Sequence, residues 1–388
     1  MFENMIGNER PLSWVLQFWP VLAWSFATAL AATWLCKKLA IKLGIVDKPN
    51  DTVKTHKEPV AYLGGVGILV GLTAGILAGI SLLPHDECFS GILKLLMGIL
   101  VGGTIACFIG LVDDLADIKP WQKILGQLIA AAGLIYAGVL PTGSIAWSGN
   151  VVGITLNETF VQAVAAGIVF VFVLGATNSL NLLDGLDGLC AGVTAIITLG
   201  MLFLTVHLAT WGLSDTGDPV RVIICLGLVG GVMGFLPFNR HPAKIFMGDA
   251  GSLLLGFMMA AMMIMFARQI PRWWLASIVI FGLPILDTAV AFARRIMNKR
   301  PIFTSDRGHI YDQMMDRGMS LRKTVIVCYL LAGMYAAIGL IMSQIRTRYA
   351  LIVCILVIVN TAVIVWKEGF LKMEGLRGAV KKEVISER

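Results

Sequence analysis

Charge is scarce in this chain. Only 14% of its 388 residues are charged, 57% are hydrophobic, and mean hydropathy is +0.82. A water-soluble domain carries about 25% charged and about 45–50% apolar residues. One or two soluble cores could not hide so much apolar surface, and the same composition excludes a disordered or collagen-like chain. The seven cysteines (36, 88, 107, 190, 225, 328 and 354) are scattered with no CxxC pair, which supports neither a disulfide framework nor a zinc site. There is no GxxxxGKS or GxxxxGKT loop and no usable GxGxxG, so a soluble nucleotide-driven motor is not expected. HExxH and GxSxG are also missing.

What is there is a series of long apolar runs. A transmembrane helix needs roughly 20 mainly apolar residues. Eleven stretches qualify: about 12–35, 60–83, 91–112, 123–140, 160–179, 189–210, 219–237, 251–267, 273–292, 323–342 and 349–366. Runs this long predict helices, because backbone amides in hydrocarbon must be satisfied within the segment. The fold class expected is an all-α, polytopic transmembrane bundle of about eleven spans. The 42 glycines suit helices that pack closely in lipid.

Lys and Arg set the expected orientation. With the N-terminus outside, Arg10, Lys94, Arg221, Arg268, Arg272, Arg346 and Arg348 face outward and the other 24 of the 31 face inward. That asymmetry favours N-out, C-in, with the C-terminus cytoplasmic. It also accounts for the net charge of +7, so no nucleic-acid partner is needed to explain it. Glu3 and Glu9 precede Arg10, which is no basic n-region, and the first span is expected to be an anchor. The expected organisation is one integral-membrane domain over 1–366 and a basic, solvated tail over 367–388.

The unusual polar residues fall at the inner ends of the spans, where ionisable groups are costly and point to function. Asp113 and Asp114 with Asp117 form one cluster; on a helix Asp117 shares a face with each of them. Such spacing suits a metal–phosphate site with a general base, and equally a solvated helix end. Asn178, Asn181, Asp184 and Asp187 recur every three residues. A perfect α-helix turns that row by about 60° per step, so Gly185 and Gly188 are expected to break the helix and fold the row around a ligand. Asp249, between Gly248 and Gly251, reads as a helix N-cap or as a carboxylate placed near a metal. Arg294 and Arg295 suit a phosphate clamp or positive-inside retention. His309 is a candidate phosphate donor or acid/base group. A milder cluster is His56 with Pro59 and Gly64-Gly65. Asp287, inside the ninth span, calls for a cationic partner that the sequence does not identify. The Met-rich run 258–265 reads as lipid-facing or packing surface.

Carboxylates with Asn amides form a hard-oxygen set, which points to Mg²⁺ or Mn²⁺. Such an ion bridges phosphates in phosphoryl transfer. A site at the hydrocarbon edge fits a substrate with a greasy tail and a charged head.

In this order and spacing, Val46-Asp47-Lys48-Pro49, His56-Lys57-Glu58-Pro59 with Gly64-Gly65, DDLAD, NSLNLLDGLDGL, KIFMGDAGS, and Arg294-Arg295 through Asp306-Arg307-Gly308-His309 make a specific combination. The sequence resembles the polyprenyl-phosphate N-acetylhexosamine-1-phosphate transferases over roughly residues 45–320. The resemblance is nearest to the undecaprenyl-phosphate GlcNAc-1-phosphate branch. It is more distant to the phospho-MurNAc-pentapeptide translocases and the eukaryotic dolichyl-phosphate enzymes. It implies a bacterial cytoplasmic-membrane enzyme that starts cell-envelope glycan synthesis at the cytoplasmic face, with UDP-N-acetylhexosamine, polyprenyl phosphate and Mg²⁺ as substrates and cofactor. Homodimers are compatible with this. It places Asp113 and Asp114 at the catalytic centre, with Asp113 as the base and Asp184 organising the centre. It puts a phosphate-holding lysine at Lys123, metal ligands at Asn181 and Asp249, and nucleotide or sugar contacts at Asn178, Asp187, Arg294, Arg295, Arg307 and His309. Two departures stand out. The usual HxHH reads His309-Ile310-Tyr311-Asp312, which bears on sugar recognition, and the usual PxP reads Pro59-Val60-Ala61.

Two other readings compete for the same residues. An ion-coupled secondary transporter would place its carboxylates near the bilayer midplane, often in repeated halves. An Asp-rich membrane prenyltransferase would want two similar Asp-rich motifs and would not need the Asn178–Asn181 row.

Overall fold

The computed structural model describes residues 15–47, 59–210, 217–268, 271–299 and 308–371. The helices are α1 (Trp19–Leu43), α2 (Gly64–Leu82), α3 (Phe89–Ala116), α4 (Pro120–Ala137), α5 (Thr142–Val152), α6 (Glu158–Leu183) and α7 (Leu189–Thr210). They continue with α8 (Gly217–Asn239), α9 (Gly248–Phe266), α10 (Pro271–Ile280), α11 (Gly282–Met297), α12 (Ile310–Asp316), α13 (Leu321–Ser343) and α14 (Thr347–Lys367). Two short strands, β1 (Val46–Asp47) and β2 (Val60–Ala61), pair antiparallel. Among the described residues, nine helices are long and apolar enough to cross a bilayer. Two bent pairs, α4 with α5 (74°) and α10 with α11 (68°), bring the number to eleven if each pair is counted as one span. The chain is therefore a polytopic all-α membrane protein, as the hydropathy predicts.

α9 is the hub. It is apolar all round, as expected of a helix surrounded by protein, and its residues from Ala250 to Phe266 are buried. The Met run is thus core packing and does not face lipid; Met258, Met259, Met262 and Met265 are fully enclosed. Small residues let its neighbours close in. Gly103 of α3 meets Leu254 and Met258, and Gly256 of α9 meets the Thr177 backbone of α6. Small residues do the same between α1, α2 and α8: Gly67 and Gly71 rest on Thr33 and Ala29, and Gly230 and Gly234 rest on the α1 backbone.

The first span differs from its predicted limits. α1 runs from Trp19 to Leu43, because hydropathy marks the hydrocarbon stretch while the helix continues past it to a left-handed C-cap at Gly44 (φ 73°). Lys38 lies over the Trp34 ring there. At the other end, Phe370 and Leu371 pack back beside α12. Phe370 is buried beside Val290 and Ile310, and its carbonyl accepts Gln313 Nε2 at 2.9 Å. Residues 372–388 lie outside the described residues.

The segment before α9 is stitched to the chain before α2. Phe246 N–H donates to the Ala61 carbonyl, and the Gly64 and Gly65 amides donate to the Phe246 and Met247 carbonyls. Gly65 has no room for a side chain against Ala250 and Gly251. This explains the Gly pair of the sequence: it lets α2 buttress the start of α9. His56 lies outside the described residues.

Candidate active site

Four helix ends meet at one edge of the bundle. They are the last turns of α3 and α6 and the first turns of α4 and α9. Since α3 and α6 finish where α4 and α9 begin, their polar termini lie on one side.

α3 closes at Asp117 (φ 48°), whose amide donates to the Asp113 carbonyl at 2.9 Å. Asp tolerates this left-handed conformation better than most residues. α4 restarts at once, with Pro120 in its first turn and the Lys119 amide donating to Gln122 Oε1. The tight turn folds Lys123 back over Asp113. Lys123 Nζ lies 3.0 Å from Asp113 Oδ2 and 3.4 Å from Asn181 Oδ1, and it also pairs with Asp249 Oδ2. Asn181 Nδ2 donates to Asp249 Oδ1 at 2.7 Å and to Ser252 Oγ at 3.0 Å.

Asp114 faces the other way. Its carboxylate accepts the Asp249 amide at 2.8 Å and the Ala250 amide at 3.1 Å. It therefore caps α9 from a neighbouring helix, where a carboxylate also suits the positive end of the helix dipole. Two glycines make room. Gly110, one turn before Asp114, packs against the Asp249 carbonyl, and the space beside Gly248 (φ 66°) is filled by the Asp114 carboxyl. Asp184 is the C-cap of α6. Burial pushes its carboxyl well above the usual range, and the charges of Asp249, Asp114 and Asp187 add to this.

Beside this centre opens a cavity of about 890 Å³, lined by Gly44–Asp47, Tyr62, Asp113–Asp117 and Asp249. Carboxylates dominate it, with Lys123 as their counter-charge.

Of the predicted residues, Asp113, Asp114, Lys123, Asn181 and Asp249 converge. The three-residue row does not fold as one unit. α6 stays helical through Leu183, so the row fans out as an α-helix must. Asn178 binds Gln127 Oε1 at 3.1 Å, Asn181 binds Asp249, and Asp187 lies beyond the helix end. Asp187 accepts the Ala243 amide at 3.0 Å and meets His241 Nδ1 at 2.8 Å, holding the connection before α9. Arg294 and Arg295 are buried, and the Arg294 guanidinium fills the space that a side chain on Gly308 would need. His309 meets Asp287. Arg307 lies outside the described residues.

Sequence reasoning missed two contributors, Gln127 and His241. Gln127 follows Lys123 by one helical turn, so spacing could have found it. His241 carried no local signal.

The donor set suits a divalent cation. Asp249 and Asn181 offer hard oxygens side by side, and the Lys123 ammonium already marks a cation position between Asp113 and Asp249. Among the described residues there is no cluster of three or more His, Cys, Asp or Glu able to cage a metal. An ion such as Mg²⁺ is usually held by one or two carboxylates and completed by water and substrate phosphates.

Comparison with known proteins places the chain in a family. The sequence profile of glycosyl transferase family 4 matches residues 96–267, the stretch that carries α3, α4, α6 and α9. The chain is 32% identical over 353 residues to a protein of Bacillus subtilis named "Probable undecaprenyl-phosphate N-acetylglucosaminyl 1-phosphate transferase", covering 88% of this chain and 89% of that one. It is 31% identical to the decaprenyl-phosphate N-acetylglucosaminephosphotransferase of Mycobacterium tuberculosis, covering 79% and 77%. It is 29% identical to the phospho-N-acetylmuramoyl-pentapeptide-transferase of Shouchella clausii, covering 84% and 97%. With a membrane bundle, a carboxylate–amide–lysine centre at its edge and relatives that align over most of its length, the chain belongs to glycosyl transferase family 4 and is a membrane-embedded transferase.

Proposed function

We propose that the protein transfers N-acetylhexosamine-1-phosphate, most simply GlcNAc-1-phosphate, from a UDP-sugar to polyprenyl phosphate and releases UMP. One observation carries the reading: Lys123, at the start of α4, gathers Asp113, Asn181 and Asp249 from three other helix ends at one edge of an apolar bundle. A lipid phosphate can present its head there while its tail stays in hydrocarbon. The names of the relatives supply the substrate class. The Lys and Arg asymmetry supports a cytoplasmic-face site in a bacterial inner membrane.

Asp249 and Asn181 would hold Mg²⁺, or Mn²⁺. When bound, the ion offsets charge on the donor diphosphate and on the departing phosphate. The remaining steps fall to side chains. Lys123 binds a phosphate oxygen and keeps Asp113 and Asp249 from repelling each other. Asp113 takes the proton of the lipid phosphate. The freed oxygen attacks the β-phosphorus in line, the bond from that phosphorus to the UMP oxygen breaks, and UMP leaves. Positioning and charge neutralisation are enough for this class of reaction. Asp114 acts through α9, as an anchor of Asp249. Asp184 organises the floor of the centre. Asp187, Asn178, Arg294, Arg295, Arg307 and His309 serve the nucleotide and sugar.

The test is direct. The purified protein in detergent is incubated with radiolabelled UDP-GlcNAc, polyprenyl phosphate and Mg²⁺, and butanol-soluble label and UMP are measured. Equimolar lipid-linked sugar and UMP are expected. Label that stays in the aqueous phase with every UDP-N-acetylhexosamine would refute the reading. The likeness to the Shouchella clausii protein makes UDP-MurNAc-pentapeptide the second donor to try.

A further inference from the structure

Asp287 lies in the middle of α11 and is 1% exposed. A buried carboxylate is costly unless its oxygens are engaged. Both oxygens go to one short segment. Oδ2 meets His309 Nδ1 at 2.7 Å, and Oδ1 accepts the Ile310 amide at 2.7 Å. Asp287 thus holds the start of α12 and the imidazole just before it. The ring is fixed from a second side, because Tyr311 stacks on it at 5.4 Å with only 8° between the planes. The Tyr311 hydroxyl donates to the Leu182 carbonyl at 3.0 Å, and its ring covers Gly185, where no Cβ fits. The chain of contacts therefore runs Asp287, His309, Tyr311, and then the turn that carries Asp184, three residues after Asn181.

A carboxylate can only accept hydrogen bonds, so the proton between Asp287 and His309 sits on Nδ1. We propose that Asp287 is a positioning residue for sugar-phosphate transfer. It fixes the orientation and Nδ1 protonation of His309, so that the imidazole meets the donor diphosphate beside the Asp184 turn. The proposal rests on the functional reading above. Asp287 itself touches no substrate.

The geometry explains why Asp is needed. Two N–H groups, Ile310 N and His309 Nδ1, require two acceptors. Asn offers one oxygen, and its NH₂ would face an N–H. In Asp287→Asn the single oxygen stays on the Ile310 amide and the NH₂ faces Nδ1, which drives His309 to the Nε2–H tautomer.

The experiment uses the full chain in detergent, labelled with ¹⁵N-histidine. Of the five histidines, His309 is identified by the signal lost in His309→Asn. Nitrogen shifts report which ring atom carries the proton. In the wild type, Nδ1 is expected to be protonated; in Asp287→Asn the proton moves to Nε2. In transfer assays, Asp287→Asn should raise the KM for UDP-GlcNAc about 10–100-fold, the range for losing one hydrogen bond to a charged group. The KM for polyprenyl phosphate should stay unchanged. The double variant should be no worse than His309→Asn alone, within about twofold, as for residues that act as one unit. A wild-type His309 protonated on Nε2 alone would overturn the proposal whatever the variants do. Losses that multiply in the double variant, or equal rises in both KM values, would also overturn it. If the wild type makes no sugar lipid, the functional reading falls, while the nitrogen shifts still decide whether Asp287 controls His309.

Discussion

Replacing Asp114 by Asn keeps the side chain's shape and removes one of its two acceptors. The native carboxylate takes the Asp249 amide at 2.8 Å and the Ala250 amide at 3.1 Å. Asn can accept one of these and must turn its NH₂ toward the other. Losing a bond to a charged acceptor costs about 1.5–3 kcal/mol. Losing the anion at the α9 N-terminus adds about 0.3–1 kcal/mol. The total, roughly 2–4 kcal/mol, falls on the turn that aims Asp249 at Lys123 and Asn181. Asp114→Asn should therefore lower the temperature of half-inactivation and cut UMP release at least about 100-fold. Asp113→Asn is the control. Its oxygen can still accept the Ile118 amide, which Asp113 Oδ1 takes at 3.1 Å, so activity should fall while thermal stability stays near the wild type. If Asp114→Asn proved as stable as Asp113→Asn, or released UMP normally, the anchoring argument would be wrong.

Other substitutions probe the same geometry. Lys123→Met leaves Asp113 and Asp249 facing each other with no ammonium between them; initial rates should drop at least about tenfold, the loss expected on removing one hydrogen bond to a charged group. Gly185→Ala drives a methyl into the Tyr311 ring; overpacking of this kind costs about 1–3 kcal/mol and should show as reduced thermal stability, recovered in part by adding Tyr311→Ala. Chelation with EDTA should stop UMP release, and Mg²⁺ or Mn²⁺ should restore it far better than Ca²⁺, which seeks more oxygen ligands than this centre offers; activity that persists in excess EDTA would remove the metal from the reaction.

The bundle was legible because span length is set by the bilayer and not by tertiary contacts. Hydropathy therefore marked, among the described residues, the nine helices long enough to cross a bilayer and the two bent pairs. It missed the bends between α4 and α5 and between α10 and α11, because a kink leaves composition almost unchanged. The converging centre was legible where polar residues clustered at the ends of apolar runs, as with Asp113, Asn181 and Asp249, while Lys123 was placed by the family resemblance alone. Residues whose meaning depends on distant partners were not. Asp187 looks like a member of the Asn178 row, yet it holds His241, which is 54 positions away. Asp287 carried no local pattern, because its partners at 309 and 310 come from a separate element. Facing direction was also hidden for the Met run, since lipid and protein interior are equally apolar.

The buried and half-buried aspartates divide the labour by what their oxygens already do. Asp114 commits both oxygens to the amides that start α9, and Asp287 commits both to His309 and the amide that starts α12. Neither can take a proton from a substrate or bind an ion without letting go of a helix. Asp113 and Asp249 instead share Lys123, a flexible ammonium that can move onto a phosphate when one arrives. In the proposed mechanism, a substrate phosphate that draws Lys123 away would leave both carboxylates short of positive charge as Asp113 accepts a proton and Asp249 holds a cation. The adjacent Asp113-Asp114 pair thus joins a working group to an anchor. Shifting the chain by one residue there would exchange the two roles, which is why the last turn of α3 must stop where Asp117 stops it.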